Sequence, residues 1–367
     1  MIALYKVAAP RLDRTAKAAD EVAAYERIDS THAKARRLIE RGRFARNDDG
    51  GIAITVVAAG AMDDARGRLG RPWACVPGHS FAISFIVTIP ESVATDDAVN
   101  GWMSMIAGLA TLDAIEGTLD ECGAVPFDPE CGFHLKWPND IYCHGLKLGS
   151  TFTQVASPPD RHGDVAVIFS VGVNLSVPAD RLPTPESTSL RMHVAPLPPT
   201  AELIDMIAAR LVASLRTRLE AFVQMPLIQS SRLRSEMRHV CWMMGRQIDA
   251  QLIDGRTIAG KVVSLNDDAS ISVRTASGET ERLSTGDIGL MVWRLFRRSC
   301  FDGPVPHGHG SCQSVGDVYN SSSRQKRHFR GCSSMVEPQS SKLITRVRFP
   351  SSAPLPLHRQ IRPSNRV

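Results

Sequence analysis

Three features of the 367-residue sequence predict an α+β fold, a domain with a mixed sheet and packed helices followed by a small C-terminal β-barrel. Runs rich in β-branched residues, at 52–59, 80–88 and 165–175, read as strands. Apolar residues recur at helical spacing over 96–119 (Val99, Trp102, Met103, Ile106, Leu109, Leu112, Ile115), and a second long helix is predicted over 201–222. From Gly245 to Met291 the texture changes to short strands parted by tight turns, with Asp254-Gly255 and Ser277-Gly278 as hairpin signals.

Residues 1–24 are alanine-rich and predict one helix, set apart as an N-terminal extension. Ser30-Thr31 suit the start of a helix over 33–41, with Leu38 and Ile39 on its apolar side and Gly42 ending it. After the strand at 52–59, Asp63 to Trp73 holds Arg66, Arg68 and Arg71 among Gly67 and Gly70. Such a loop can wrap an anion, because glycine lets backbone approach and guanidinium forks match phosphate or carboxylate oxygens; a solvated basic loop is the plain alternative. Phe133 to Trp137 reads as a strand that Pro138 stops, and His144-Gly145 as a hairpin turn returning Lys147 towards Lys136. Further strands are expected over 151–155 and 165–175, and the helix over 201–222 closes the larger domain, with a second helical piece near 227–240. The expected boundaries are 25–242 for that domain, 243–294 for the barrel and 295–367 for a tail.

A chain of this length that is 43% hydrophobic can bury a sizeable core. It has no apolar run of about 18 residues to span a membrane, and Asp13, Asp20 and Glu21 break any signal-peptide core, so a cytoplasmic protein is expected. The eight cysteines include no CxxC pair, which argues against a zinc site and against a disulfide framework. The net charge of +5 is unevenly spread. Residues 297–367 carry 12 Lys+Arg against 3 Asp+Glu, so the preceding residues hold the other 31 basic and 35 acidic ones and give no electrostatic case for nucleic-acid binding.

The stretch from Lys136 to Gly149 is the strongest candidate for chemistry. Two lysines, Asn139 and Asp140 converge at a strand mouth, a grouping that suits a polyanion held with a divalent cation; an ordinary hairpin with exposed lysines is the alternative. Gly172-Val173-Asn174 ends a strand, where asparagine can reach a ligand or make a turn. Taken in order, these parts resemble the biotin protein ligase family over roughly residues 25–291. Ser30-Thr31 is similar to the family's Ser-Thr-Asn motif, and Arg66 to Trp73 to its Gly-Arg-Gly-Arg-x-Gly-Arg-x-Trp loop. Lys136 to Asp140 matches its Lys-Trp-Pro-Asn-Asp, Lys147-Leu148 its Lys-Leu-Ala-Gly, Gly172 to Asn174 its Gly-x-Asn, and Thr188-Ser189-Leu190 its Thr-Ser-Leu.

The resemblance implies ATP-dependent activation of biotin to biotinyl-5′-AMP, then transfer to a lysine of a biotin carboxyl carrier domain. It implies ATP, Mg²⁺ and biotin as ligands, with Arg66, Arg68, Lys136 and Lys147 catalytic. Biotin would be held by Ser30, Thr31, His32, Met62, Arg66, Gly67, Arg68 and Lys147. Trp73, Asn139, Asp140 and Asn174 fall on the ATP side, and Asp140 is the metal ligand. No nucleic-acid or membrane partner is expected, a homodimer is compatible, and the stretch before residue 25 is too short for the DNA-binding domain of the family's repressor form. His32, Met62, Ala65, Ser150 and Gln154 depart from the family pattern, and Met62 lacks the amide of the usual glutamine. The alternatives are a biotin- or carrier-binding homologue impaired in catalysis and a lipoate or octanoyl transferase relative. In the tail, codons for 331–337 and 347–350 can spell the D-arm and T-arm of a tRNA gene, so a reading frame run on into such a gene is expected. The alternative is a genuine basic tail whose candidate metal ligands are His307, His309 and Cys312.

Overall fold

The computed structural model describes residues 7–46, 51–159, 163–285 and 288–293; the tail expectations lie outside them. The alanine-rich N-terminus is not one helix. It forms α1 (Asp13–Ala18) and then β1 (Glu21–Ile28), which runs parallel to β2 (Ile54–Met62). Ala19 turns extended, and the Asp20 carboxylate accepts from Ile54 N at 2.7 Å, so pairing along a sheet edge overrides alanine's helix propensity. Between these strands lies α2 (Thr31–Glu40), with Ser30 as its cap, its Oγ accepting from Ala33 N at 3.0 Å.

The chain continues through β3 (Ser80–Pro90), the short α3 (Glu91–Ala94), α4 (Trp102–Cys122), β4 (Val125–Pro126), β5 (Phe133–Lys136), β6 (Asp140–Cys143), β7 (Leu146–Ala156) and β8 (Asp164–Asn174). After β9 (Val194–Ala195) come α5 (Thr200–Gln224) and α6 (Pro226–Val240). Seven strands form one mixed sheet in the order β1-β2-β3-β8-β7-β6-β5, with β1–β2 its parallel pair. His144 and Gly145 both have positive φ, as the predicted tight turn between β6 and β7 requires. The strand expected over 151–155 starts at Leu146, because 146–150 pairs back on β6 while Gly149 onwards pairs with β8.

Alternate strand positions sort the two faces. Val56, Phe85, Val87, Val167 and Phe169 join the main core with α4 and α5, whereas Val57, Ile86, Ala166 and Ile168 pack under Ala35, Leu38 and Ile39 of α2. Fourteen of the 21 residues of α4 are buried, which explains why it carries apolar groups almost all round. No helix among the described residues is long and apolar enough to cross a membrane.

The last strands are β10 (Gln247–Leu252), β11 (Thr257–Leu265), β12 (Ile271–Thr275), β13 (Thr280–Leu283) and β14 (Ile288–Trp293). They form an antiparallel sheet in the order β13-β12-β11-β10-β14. Among the described residues this sheet is open where a barrel was expected: β13 pairs with β12, β14 with β10, and the two edges do not meet. Its 266–269 turn is pinned to the larger sheet's side by two indoles. Trp102 Nε1 donates to Asp267 O at 2.6 Å and Trp137 Nε1 to Ala269 O at 2.8 Å.

Candidate active site

The start of α2, the loop after β2 and the middles of β7 and β8 enclose a hollow. Ser30, Thr31, His32, Met62, Arg66, Gly67 and Trp73 line it, so seven of the residues singled out from sequence meet in one place. Its floor is a row of hydroxyls. Ser84 Oγ donates to Thr31 Oγ1 at 2.9 Å and lies 2.8 Å from Ser170 Oγ, which is 2.9 Å from His32 Nδ1. The other His32 nitrogen is 2.6 Å from Gln154 Oε1. Two residues that depart from the family pattern therefore bond each other. Burial holds His32 below the ordinary imidazole range, outweighing the opposing pull of the Gln154 hydrogen bond. At the Met62 position the sulfur accepts from Thr31 N at 3.4 Å.

Two buried polar atoms at this hollow, Trp73 Nε1 and Thr151 Oγ1, have no hydrogen-bond partner among the described residues. Buried donors and acceptors are normally paired, so both are available to a ligand. The Trp73 indole lies on Gly172: a Cβ there would come within 2.6 Å of it. That close approach explains the glycine of Gly-x-Asn. The free space is small, about 40 Å³, so a ligand larger than a few waters must displace the covering loop. A larger hollow of about 640 Å³ adjoins at Ala82, between residues 7–13, 75–80 and the start of α5; nothing in the sequence pattern pointed to it.

The charged groups flank the hollow. Lys136 and Asp140 are register partners on β5 and β6, and Lys147 Nζ sits 2.7 Å from Asp140 Oδ1. Lys136 is only 9% exposed and lies 3.3 Å from the Tyr142 hydroxyl. Burial lowers its pKa, Asp140 opposes this and Lys147 adds to it. Arg68 is lowered by burial too, with Asp140 opposing, and its Nη2 donates to Thr285 O at 2.7 Å. Asp140 is thus ion-paired with Lys147, and its charge also acts on Lys136 and Arg68. Arg66 is turned away from them: it pairs with Asp64 (Nε to Oδ1, 2.7 Å) and donates to Gly70 O at 3.1 Å.

Asn139 and Asn174 face backbone. The Asn139 amide donates to Thr151 O at 2.8 Å, and that of Asn174 to Thr188 O at 3.0 Å. Sequence reasoning missed Ser84, Thr151 and Ser170, whose only signal was a hydroxyl at an inward strand position. It also missed that Trp137, inside Lys-Trp-Pro-Asn-Asp, anchors the C-terminal sheet.

No family model matches the chain. It is 28% identical to the biotin–[acetyl-CoA-carboxylase] ligase of Mycobacterium tuberculosis over 254 residues, covering 68% of this chain and 83% of that protein. It is 31% identical over 150 residues to the ligase of the same name from Paracoccus denitrificans, covering 41% of this chain and 52% of that one. The biotin protein ligase of Aquifex aeolicus, solved with biotin and ATP, superposes with a TM-score of 0.52 at 19% identity, over 75% of this chain and all of that one, and so shares the fold. Matched length, common fold and the ordered motifs around one hollow agree in likening the chain to biotin protein ligases.

Proposed function

We propose that the chain is an ATP-dependent biotin protein ligase that forms biotinyl-5′-AMP and passes biotin to a carrier-domain lysine. The observation that carries this reading is the junction of two parts. A hollow with unpaired buried polar atoms opens beside a cluster in which Arg68, Lys136 and Lys147 surround Asp140.

In the first step biotin's carboxylate attacks the α-phosphorus of ATP, and pyrophosphate leaves. Ser30, Thr31, His32, Met62 and Gly67 line the cavity for the biotin ring, while Trp73 and Thr151 offer it or the adenylate the hydrogen bonds they lack. Lys136 and Arg68 are already desolvated, so their charge acts on phosphate oxygens through little intervening water. Lys147 and Arg66 can turn from Asp140 and Asp64 to substrate oxygens. In the second step the carrier's lysine amine attacks the mixed anhydride and AMP departs, aided mainly by positioning.

One carboxylate among three cations fits a Mg²⁺ that draws most of its ligands from ATP phosphates. Asp140 would hold it, and when bound it screens phosphate charge. Asn139 and Asn174 shape the nucleotide side through Thr151 and Thr188. The partners are a biotin carboxyl carrier domain and the two small substrates, and we place the boundary between the larger domain and the C-terminal sheet near 243.

The test is incubation with ATP, Mg²⁺, biotin and a carrier domain. Pyrophosphate release with carrier labelling is expected. Biotin binding without labelling would leave an impaired homologue, and labelling with octanoate or lipoate in place of biotin would point to the transferase relative.

A further inference from the structure

Away from the hollow, three side chains from separate parts of the chain meet behind the β5–β6 hairpin. Cys131 precedes β5, Cys143 ends β6 and His193 precedes β9. The two Sγ atoms are 3.2 Å apart, and one ligating atom from each of the three residues lies within 4.8 Å of the others. No second group of this kind occurs among the described residues. All five cysteines among them are free.

We propose that Cys131, Cys143 and His193 form a zinc site that braces the Thr188 segment against the β5–β6 hairpin. Thiolate and imidazole donors select Zn²⁺ over the oxygen-seeking Mg²⁺ and Ca²⁺. With Zn–S at about 2.3 Å and Zn–N at about 2.0 Å, a tetrahedral set has edges of roughly 3.5–3.8 Å, so the sulfurs would part by only about half an ångström to admit the ion. Cys143 is fully buried whereas Cys131 and His193 are half-buried, so an ion can enter from their side and keep water at the fourth position.

The surroundings fit as well. The His193 Nε2 is 2.6 Å from Thr188 Oγ1, the kind of outer contact that fixes a ligating imidazole. Thr188 in turn donates its N–H to Lys147 O at 2.8 Å and accepts from the Asn174 amide at 3.0 Å. The ion would therefore steady the backbone that carries two residues of the active site. Binding then converts both thiols to thiolates and releases two protons to solvent. The spacing hid this site. Cys131 and Cys143 are twelve residues apart and His193 fifty further on, so only the hairpin and the return from Thr188 bring them together.

The test titrates the full chain, kept reduced and anaerobic, with Co²⁺ and then Zn²⁺. It carries Cys300→Ser, Cys312→Ser and Cys332→Ser so that tail thiols add nothing. Expected are the intense visible bands of tetrahedral Co²⁺ and thiolate charge-transfer absorption, saturating at one equivalent and erased by Zn²⁺. Cys131→Ser should remove about half of the charge-transfer intensity, and His193→Ala should weaken binding. If His193→Ala does not fold, the half-buried Cys131→Ser decides alone. Weak octahedral bands only, a spectrum untouched by Cys131→Ser, or a Cys131–Cys143 disulfide in the reduced preparation would each overturn the site. Biotinylation is not the readout, so failure here leaves the ligase reading standing.

Discussion

The floor of the hollow and the loop that covers it are built by opposite means. On the floor, Ser84, Ser170, Thr31 and His32 stand on sheet and helix and bond one another within hydrogen-bond distance, so they are set before any ligand arrives. In the loop, Arg66 is half exposed and bonded to Asp64 and Gly70, and Leu69 has a φ of 56°, in the left-handed region that a leucine avoids. A rigid floor can read a ligand's shape, and a strained cover held by exposed ion pairs can open at small cost. The cations divide likewise: Lys136 is fixed and dry, whereas Lys147 is partly exposed and held by one ion pair.

The largest effect should come from the fixed side. Lys136→Met removes a desolvated charge and should slow adenylate formation by about 10²–10³-fold in single-turnover pyrophosphate release. Stability should hold or rise, because a buried ammonium that costs desolvation is replaced by an apolar chain of like shape. Loss of both activity and stability would mean that Lys136 is a structural ion. Next is Gly172→Ala. The added methyl meets the Trp73 ring and should cost about 1–3 kcal/mol in chemical denaturation, the usual range for overpacking. No cost would show that Trp73 swings away with the loop and belongs to the mobile part.

How much of this was legible in the sequence follows the same division. The loop was legible as a candidate anion-binding segment, with a solvated basic loop as its plain alternative. Lys136 and Asp140 stood out only through the ordered motifs around them, since the stretch alone reads as an ordinary hairpin with exposed lysines. The floor was not legible: Ser84 and Ser170 look like ordinary alternation until β3 and β8 pair them opposite each other. The strand over 21–28 was hidden behind alanines, and the open C-terminal sheet was read as a barrel because turn signals report hairpins but not whether the last edge meets the first. Trp137 had no role of its own in that reading. It sits in the most informative motif, yet its N–H serves a carbonyl of the C-terminal sheet.

A smaller effect should appear in pH. Burial depresses the folded-state pKa of His32, so between that value and the ordinary one near 6.5 the unfolded chain binds more protons than the folded one. Stability contributed by neutral His32 is therefore complete above about pH 6.5 and declines on acidification, by at most about 1.4 kcal/mol per pH unit. Thermal melts from pH 7.5 down to 5.5 should show this decline, and His32→Asn should flatten part of it. An unchanged slope in His32→Asn would mean that the imidazole is not held neutral by the floor. Biotin binding should protect the parent against the decline if the ligand seals the hollow.

The smallest effect tests the cover itself. Asp64 and Arg66 are both about half exposed, so their ion pair is worth only about 0.2–1 kcal/mol. Asp64→Ala frees Arg66 without touching the floor, and should raise the association rate for biotin by no more than about fivefold, the factor that 1 kcal/mol allows. Raised salt should shrink the difference between parent and variant, because it screens the same pair. The measurement is stopped-flow Trp fluorescence, with Trp73 at the hollow as reporter. A slower rate in Asp64→Ala would reverse the assignment: Asp64 would then be ordering Arg66 for the ligand, and the cover would be as preset as the floor beneath it.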